Sequence, residues 1–260
     1  MNTEALLVTR DGPVATVVLN NPTHLNALNL GMWQGLGDIM RTLSNDTHLR
    51  CVILRGAGDQ AFAAGADIGE FNQVRANAKQ AALYGHTMHQ TLLSISQCQH
   101  PTLALIEGAC IGGGLEIACA CDLRICGSSS RFGVPINRLG LTMGYGELIG
   151  LLQVVGRANA LEILLEGRIF DAQEAFHKRL VNRVVADTAV VDEALAIAAR
   201  IAAGAPLVAR WHKRFLTKLQ PEPTLSQEEW EEGYACFDTE DYQTGTRAFV
   251  NKSKPQFNAR

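Results

Sequence analysis

The residues with the most chemical content lie in one stretch, 101–126, which reads PTLALIEGACIGGGLEIACACDLRIC. An apolar run of strand length at 102–106 is followed by Gly112, Gly113 and Gly114, and then by a second apolar run carrying a single carboxylate, Glu116. That order predicts a strand, a glycine turn and a helix. Successive glycines let a backbone approach a ligand closely and take angles that a Cβ forbids. The helix that follows begins with amides that have no partner inside it, and its positive end favours an anion. With the helix starting near Gly113, Glu116 lies one turn inside. The chemistry implied is a bound oxyanion beside a carboxyl group able to move a proton. The same residues also describe a plain tight turn followed by a solvated first-turn acid, and this stretch alone leaves both readings open.

A second stretch upstream, 61–71, reads AFAAGADIGEF. Together with IGGGLE it resembles the enoyl-CoA hydratase/isomerase family, the crotonase superfamily. The resemblance runs from NNPTHLNAL near the start through AFAAGADI, the glycine turn, CDLRIC and RFGVP to TRAFVNKSKPQF at the end, which is nearly the whole chain. Each motif is loose alone, but their order and spacing are specific. The resemblance implies an α/β fold, with a crotonase-like ββα spiral core over 1–200 and a helical C-terminal region over 201–260 used for oligomerisation and for covering CoA. It implies a homotrimer or hexamer acting on an acyl-CoA thioester, with no separate cofactor because coenzyme A is part of the substrate. The thioester carbonyl is then expected between the backbone amides of Ala66 and Gly113, with Glu116 as acid/base. His24 and Leu25 fall in an N-terminal loop that resembles a pantetheine and nucleotide contact. Asp67 and Ile68 fall where the family backbone meets adenine, and Gly112 adjoins the thioester. Phe249 and Lys252 match an aromatic and lysine pair that reaches the CoA of a neighbouring subunit. A cation at Lys252 suits a CoA phosphate, although a solvated helix-end lysine is the equal alternative.

The chain departs from the family at one position. Hydratases of the family use a second glutamate in the loop after the F-G-x-P motif, and counting along RFGVPINRL places Ile136 there. Hydration requires one proton removed from water and one delivered to carbon, for which two carboxyls serve most readily. Moving a double bond needs one base. Three remedies stay open: Glu116 carries both transfers, Glu147 turns inward as a second acid, or the site runs another enolate reaction such as thioester hydrolysis or decarboxylation. Glu147 at a helix start also serves simply to complement the dipole. Hydration leads only through the family, isomerisation follows closely, and a non-catalytic acyl-CoA-binding subunit is the rival of another class. Asp67 is expected to stabilise its turn, and Asp122 to be a structural hydrogen-bonding residue. Leu139, Leu141, Met143 and Tyr145 are expected near the acyl pocket.

The elements that must position these residues alternate. Strand patterns at 5–10 and 14–20 flank Asp11-Gly12-Pro13 and predict a hairpin. Helical spacing follows to about residue 43, a strand at 51–55, a helix over about 72–97, and helices at 147–155, 158–165, 172–176, 195–203 and 206–219, with a short strand or connector at 180–185. Strands and helices alternate in the first two-thirds, before a helical tail. Gly56-Ala57-Gly58-Asp59-Gln60-Ala61 matches a dinucleotide fingerprint loosely, but further small-residue breaks follow where that fingerprint needs a helix.

The 260 residues suit one large domain or a domain plus a small appendage, and a net charge of −3 with no basic run argues against nucleic acid. The sequence shows no charged-then-apolar leader and no membrane span, so a cytoplasmic protein is expected. The seven cysteines lack ligand-like spacing and read as buried reduced thiols. His86 and His89 share a helical face without partners for a metal, and no metal site is expected.

Overall fold

Leu6–Asp11 (β1) and Val14–Leu19 (β2) pair antiparallel as the expected hairpin, across a turn where Gly12 has φ +53°. The inward side of β2 buries Ala15, Val17 and Leu19. Leu30–Ser44 (α1) follows, its first turn capped by the Asn29 side chain, which accepts from the Met32 amide at 2.9 Å. Its apolar face buries Met32, Trp33, Leu36, Met40 and Leu43 at helical spacing. The computed structural model describes residues 5–76, 78–139 and 142–219, together with 240, 241, 244, 248, 251, 253, 255–258 and 260.

A three-beat unit then repeats. Cys51–Gly56 (β3) is followed by Ala61–Ala63 (β4) and the helices Phe71–Val74 (α2) and Ala78–Ser96 (α3). Thr102–Ile106 (β5) is followed by Ala109–Ile111 (β6) and Gly113–Ala120 (α4), and Leu123–Gly127 (β7) by Arg131–Gly133 (β8) and Tyr145–Glu166 (α5). Phe170–Asp171 (β9), Ala172–His177 (α6), Arg183–Val185 (β10), Val190–Ala202 (α7) and Pro206–Lys218 (α8) complete the described elements. In each repeat the longer strand joins a six-stranded sheet, β1-β2-β3-β5-β7-β10, and the short one joins a four-stranded sheet, β4-β6-β8-β9. All neighbours run parallel except β1 with β2 and β8 with β9. This is the ββα spiral.

Parallel strands covered on both faces need apolar residues throughout, and β5, TLALI, is buried at every position. One face of the large sheet meets the main core with α1, α3 and α4, while Cys51, Ile53, Leu103, Leu105 and Ile125 on the other face pack beneath Val190, Ala194 and Ala198 of α7. The six cysteines among the described residues are free and buried, as their spacing suggested.

The helix expected over 72–97 is corrected to two helices, with residues 75 and 76 outside both. The helices expected at 147–155 and 158–165 do lie on either side of a break: α5 is divided at Gly156, whose angles are not helical (φ 72°, ψ 167°). By length and composition α5 is apolar enough to cross a membrane, but that break interrupts it midway and its buried face packs Leu151, Val155, Ala160 and Ile163 into the core. The short strands of the second sheet escaped notice because three residues carry no readable period. As the small-residue breaks suggested, the GAGDQA run opens no helix: it runs from the last residue of β3 through a turn to the first of β4, and a Cβ on Gly56 would lie 2.1 Å from the Ala61 carbonyl oxygen. That arrangement contradicts a dinucleotide-binding turn. The break expected at 220–223 lies outside the described residues.

Candidate active site

Two turns, each leaving a strand of the small sheet, meet at the site. After β4, the N-terminal loop holds the chain on both sides of Ala66: the Leu28 amide donates to the Gly65 carbonyl at 2.9 Å, and the Asp67 amide donates to the Leu28 carbonyl at 2.8 Å. Gly65 has φ +110°, a conformation that L side chains rarely adopt. After β6, Gly112 also takes positive φ, +50°, and its amide donates to the Gly133 carbonyl at 2.9 Å. Among the described residues, neither the Ala66 nor the Gly113 N–H has an acceptor.

Steric fit explains the remaining glycines. A Cβ on Gly114 would lie 2.3 Å from the Ala63 carbonyl oxygen, and one on Gly113 would lie 2.8 Å from the Trp33 ring. The same construction puts that position 3.5 Å from the Ala66 nitrogen, so the two free amides are neighbours. Two unpaired donors side by side at the start of α4 form an anion-binding corner.

Glu116 sits one turn into α4 and is only 7% exposed. Its Oε2 has no hydrogen-bond partner among the described residues. Burial pushes its carboxyl up to about 8; the Glu147 charge adds to the rise and the Arg75 charge opposes it. A carboxyl in this range at neutral pH both gives and takes a proton readily.

A cavity of about 110 Å³ joins these groups, with Gly65, Ala66, Gly113 and Glu116 on one side and Ile136 and Met143 on the other. Ile136 is on the wall, where a second acid was sought and is absent. Glu147 reaches the cavity edge, but its carboxylate accepts from the Gly144 amide at the start of α5. A larger cavity of about 510 Å³, between the end of α3 and α8, contains no carboxylate.

Other expected residues divide. Leu25 (φ +50°) accepts from the Ala64 amide at 2.9 Å through its carbonyl, which puts it next to the Ala66 turn; His24 is exposed beside it, its Nδ1 within 3.2 Å of Asn21 Oδ1. Asp67 accepts from the Gly69 amide at 2.9 Å and so holds its turn, and Ile68 is 58% exposed. Asp122 accepts from the Thr102 amide and hydroxyl and from Lys213 Nζ at 2.8 Å, a structural role as expected. Met143 lines the cavity, but Tyr145 is 91% exposed and points away from it, because it starts α5 on the solvent side. The Leu139 side chain, Leu141, Phe249 and Lys252 lie outside the described residues. Among the described residues no cluster of His, Cys, Asp or Glu is arranged to hold a metal. Sequence reasoning missed Arg75, Phe71 and Met88, which also line the cavity; a single arginine in a helical stretch carries no signal of its destination.

Known proteins resemble the chain along its whole length. The chain is 33% identical to a short-chain-enoyl-CoA hydratase of Clostridium acetobutylicum over 98% of its length and 97% of that protein. It is 30% identical to a crotonyl-CoA hydratase of Syntrophomonas wolfei over 98% of both. The crystal structure of an enoyl-CoA hydratase/carnithine racemase from Magnetospirillum magneticum superimposes with a TM-score of 0.97 at 52% identity, over 100% of this chain and 97% of that one. The sequence profile of the enoyl-CoA hydratase/isomerase family matches residues 9–260, and the chain belongs to that family.

Proposed function

We propose that this protein is an enzyme that adds water across the double bond of a short 2-enoyl-CoA, with Glu116 as its single acid/base. The observation that carries the reading is a buried carboxyl oxygen, Glu116 Oε2, beside two backbone amides, all without a partner among the described residues. The names of the similar hydratases support the same reaction. The thioester oxygen accepts from the Ala66 and Gly113 amides. Ionised Glu116 takes a proton from water as the water oxygen bonds to C3, and the C2=C3 electron pair moves into the thioester as an enolate. Donors aimed at that developing charge are worth a few kcal/mol each. Glu116 then returns the proton to C2, so that all atoms added come from one water. No metal or separate cofactor enters; coenzyme A arrives as part of the substrate.

Ile136 favours one second reading, double-bond isomerisation, in which the same base removes a proton from one carbon and returns it to another. Incubation with crotonyl-CoA and with a 3-enoyl-CoA, followed by mass spectrometry, separates the two. Gain of one water on crotonyl-CoA is expected. Loss of 3-enoyl-CoA to its 2-isomer with no hydrated product from either substrate would overturn hydration.

The finer assignments belong to the same proposal. Leu25 and His24 meet pantetheine, and Asp67 and Ile68 meet adenine at the rim. Phe249 and Lys252, in the region 201–260, cover the CoA of a neighbouring subunit in a cytoplasmic homotrimer or hexamer. The exposed Tyr145, Ile149, Leu152 and Leu165 of α5 support self-association, because such apolar side chains gain from leaving water.

A further inference from the structure

Arg75 follows α2, where the chain breaks before α3, and it is the sole cation among the described residues lining the Glu116 cavity. Its guanidinium stacks on two rings, 4.8 Å from the centroid of Phe71 and 4.9 Å from that of Tyr84. The rings themselves meet edge-on at 6.5 Å. Stacking fixes the plane of a guanidinium and directs its donors along that plane. Among the described residues Nε is buried with no hydrogen-bond partner, and Arg75 makes no ion pair. A charged donor removed from water and left unpaired is costly, so a partner is to be expected when the site is filled.

The nearby carboxyls do not supply it. Among the described residues neither Glu116 nor Glu147 forms an ion pair or hydrogen bond with Arg75, and the Glu147 carboxylate accepts from the Gly144 amide. The intervening wall is apolar, with Met88, Ile136 and Met143, and suits a short hydrocarbon segment. A cavity of about 110 Å³ is roughly the share of four waters, so the group it takes is small. We propose that Arg75 is an anion-recognition residue, and that the acyl group of the preferred substrate is a short 2-enoyl chain ending in a carboxylate. A carboxylate matches the guanidinium fork in two parallel hydrogen bonds. The inference rests on the acyl-CoA reading above and adds the substrate class to it.

The test uses a matched pair, glutaconyl-CoA and 2-pentenoyl-CoA, in which a carboxylate replaces a methyl at C5. Because the Arg75 charge also acts on Glu116, the informative quantity is the ratio of kcat/KM for the two substrates, in which that common effect cancels. A wild-type ratio above about ten is expected, as a charged hydrogen-bond pair supplies. It should fall to one or below in Arg75→Met and be partly kept in Arg75→Lys. Calorimetric binding of the saturated pair, glutaryl-CoA and pentanoyl-CoA, should show the same pattern without requiring turnover. Wild-type ratios of one in both turnover and binding, or ratios that Arg75→Met leaves unchanged, would overturn the proposal. If neither enoyl-CoA is hydrated but glutaryl-CoA binds more tightly in an Arg75-dependent way, the hydration reading fails and the anion subsite stands.

Discussion

The two walls of the cavity are built from opposite materials. On one side, the turns at 64–67 and 112–116 bring two free amides and an unpaired carboxyl together, held by backbone hydrogen bonds and by contacts too close for a Cβ. On the other side, Ile136 and Met143 are apolar, and the one carboxylate, Glu147, is engaged by the Gly144 amide. Under the proposed hydration the difference assigns proton transfer to one wall and the shaping of the acyl group to the other. A site with a single working carboxyl must choose steps in which one proton is taken and returned.

The largest expected effect comes from removing that carboxyl. Glu116→Gln keeps the volume and should lower kcat for crotonyl-CoA hydration by about 10²–10⁴-fold, while binding of a saturated acyl-CoA persists. Loss of both would mean that Glu116 chiefly organises the wall. Next, Gly114→Ala presses a Cβ against the Ala63 carbonyl and should cost about 1–3 kcal/mol of stability, read from denaturant midpoints, with a drop in kcat as the two turns separate. An unchanged midpoint would show that the walls are less tightly joined than this.

The smallest effect is assigned to the opposite wall. Glu147→Gln should change kcat/KM by less than about tenfold, about 1.4 kcal/mol of barrier. Its direction follows from charge: the Glu147 carboxylate raises the Glu116 pKa, so removing it lowers that pKa and increases the ionised fraction at neutral pH. Activity at pH 7 should therefore rise. A loss as large as that of Glu116→Gln would make Glu147 the second acid and erase the distinction between the walls.

The sequence made the working wall more readable than the apolar one, for a physical reason. Backbone sites demand glycine at fixed places, so Gly112, Gly113, Gly114 and the AGAD turn stand out in a string of letters, and Glu116 follows at a fixed offset on a short helix. Ile136 was legible through the F-G-x-P motif just before it. Arg75 was not, since its position depends on the end of α2 just before it and on rings at Phe71 and Tyr84 that no local pattern joins. Tyr145 was misplaced because neighbours in sequence diverge at a helix start: Met143 faces the cavity and Tyr145 faces solvent. Among the elements, the long buried strands announced themselves as apolar runs, whereas the two- and three-residue strands of the small sheet are defined only by the partners that the spiral brings to them.

The most direct test of a lone, ionised Glu116 is the pH dependence of kcat/KM for crotonyl-CoA hydration. A base held up to about 8 by burial predicts a rate that rises about tenfold per pH unit below that value and levels above it, with the rise absent in Glu116→Gln. A rate that falls as pH rises from 6 to 9 would mean that the protonated form works, and would contradict the account.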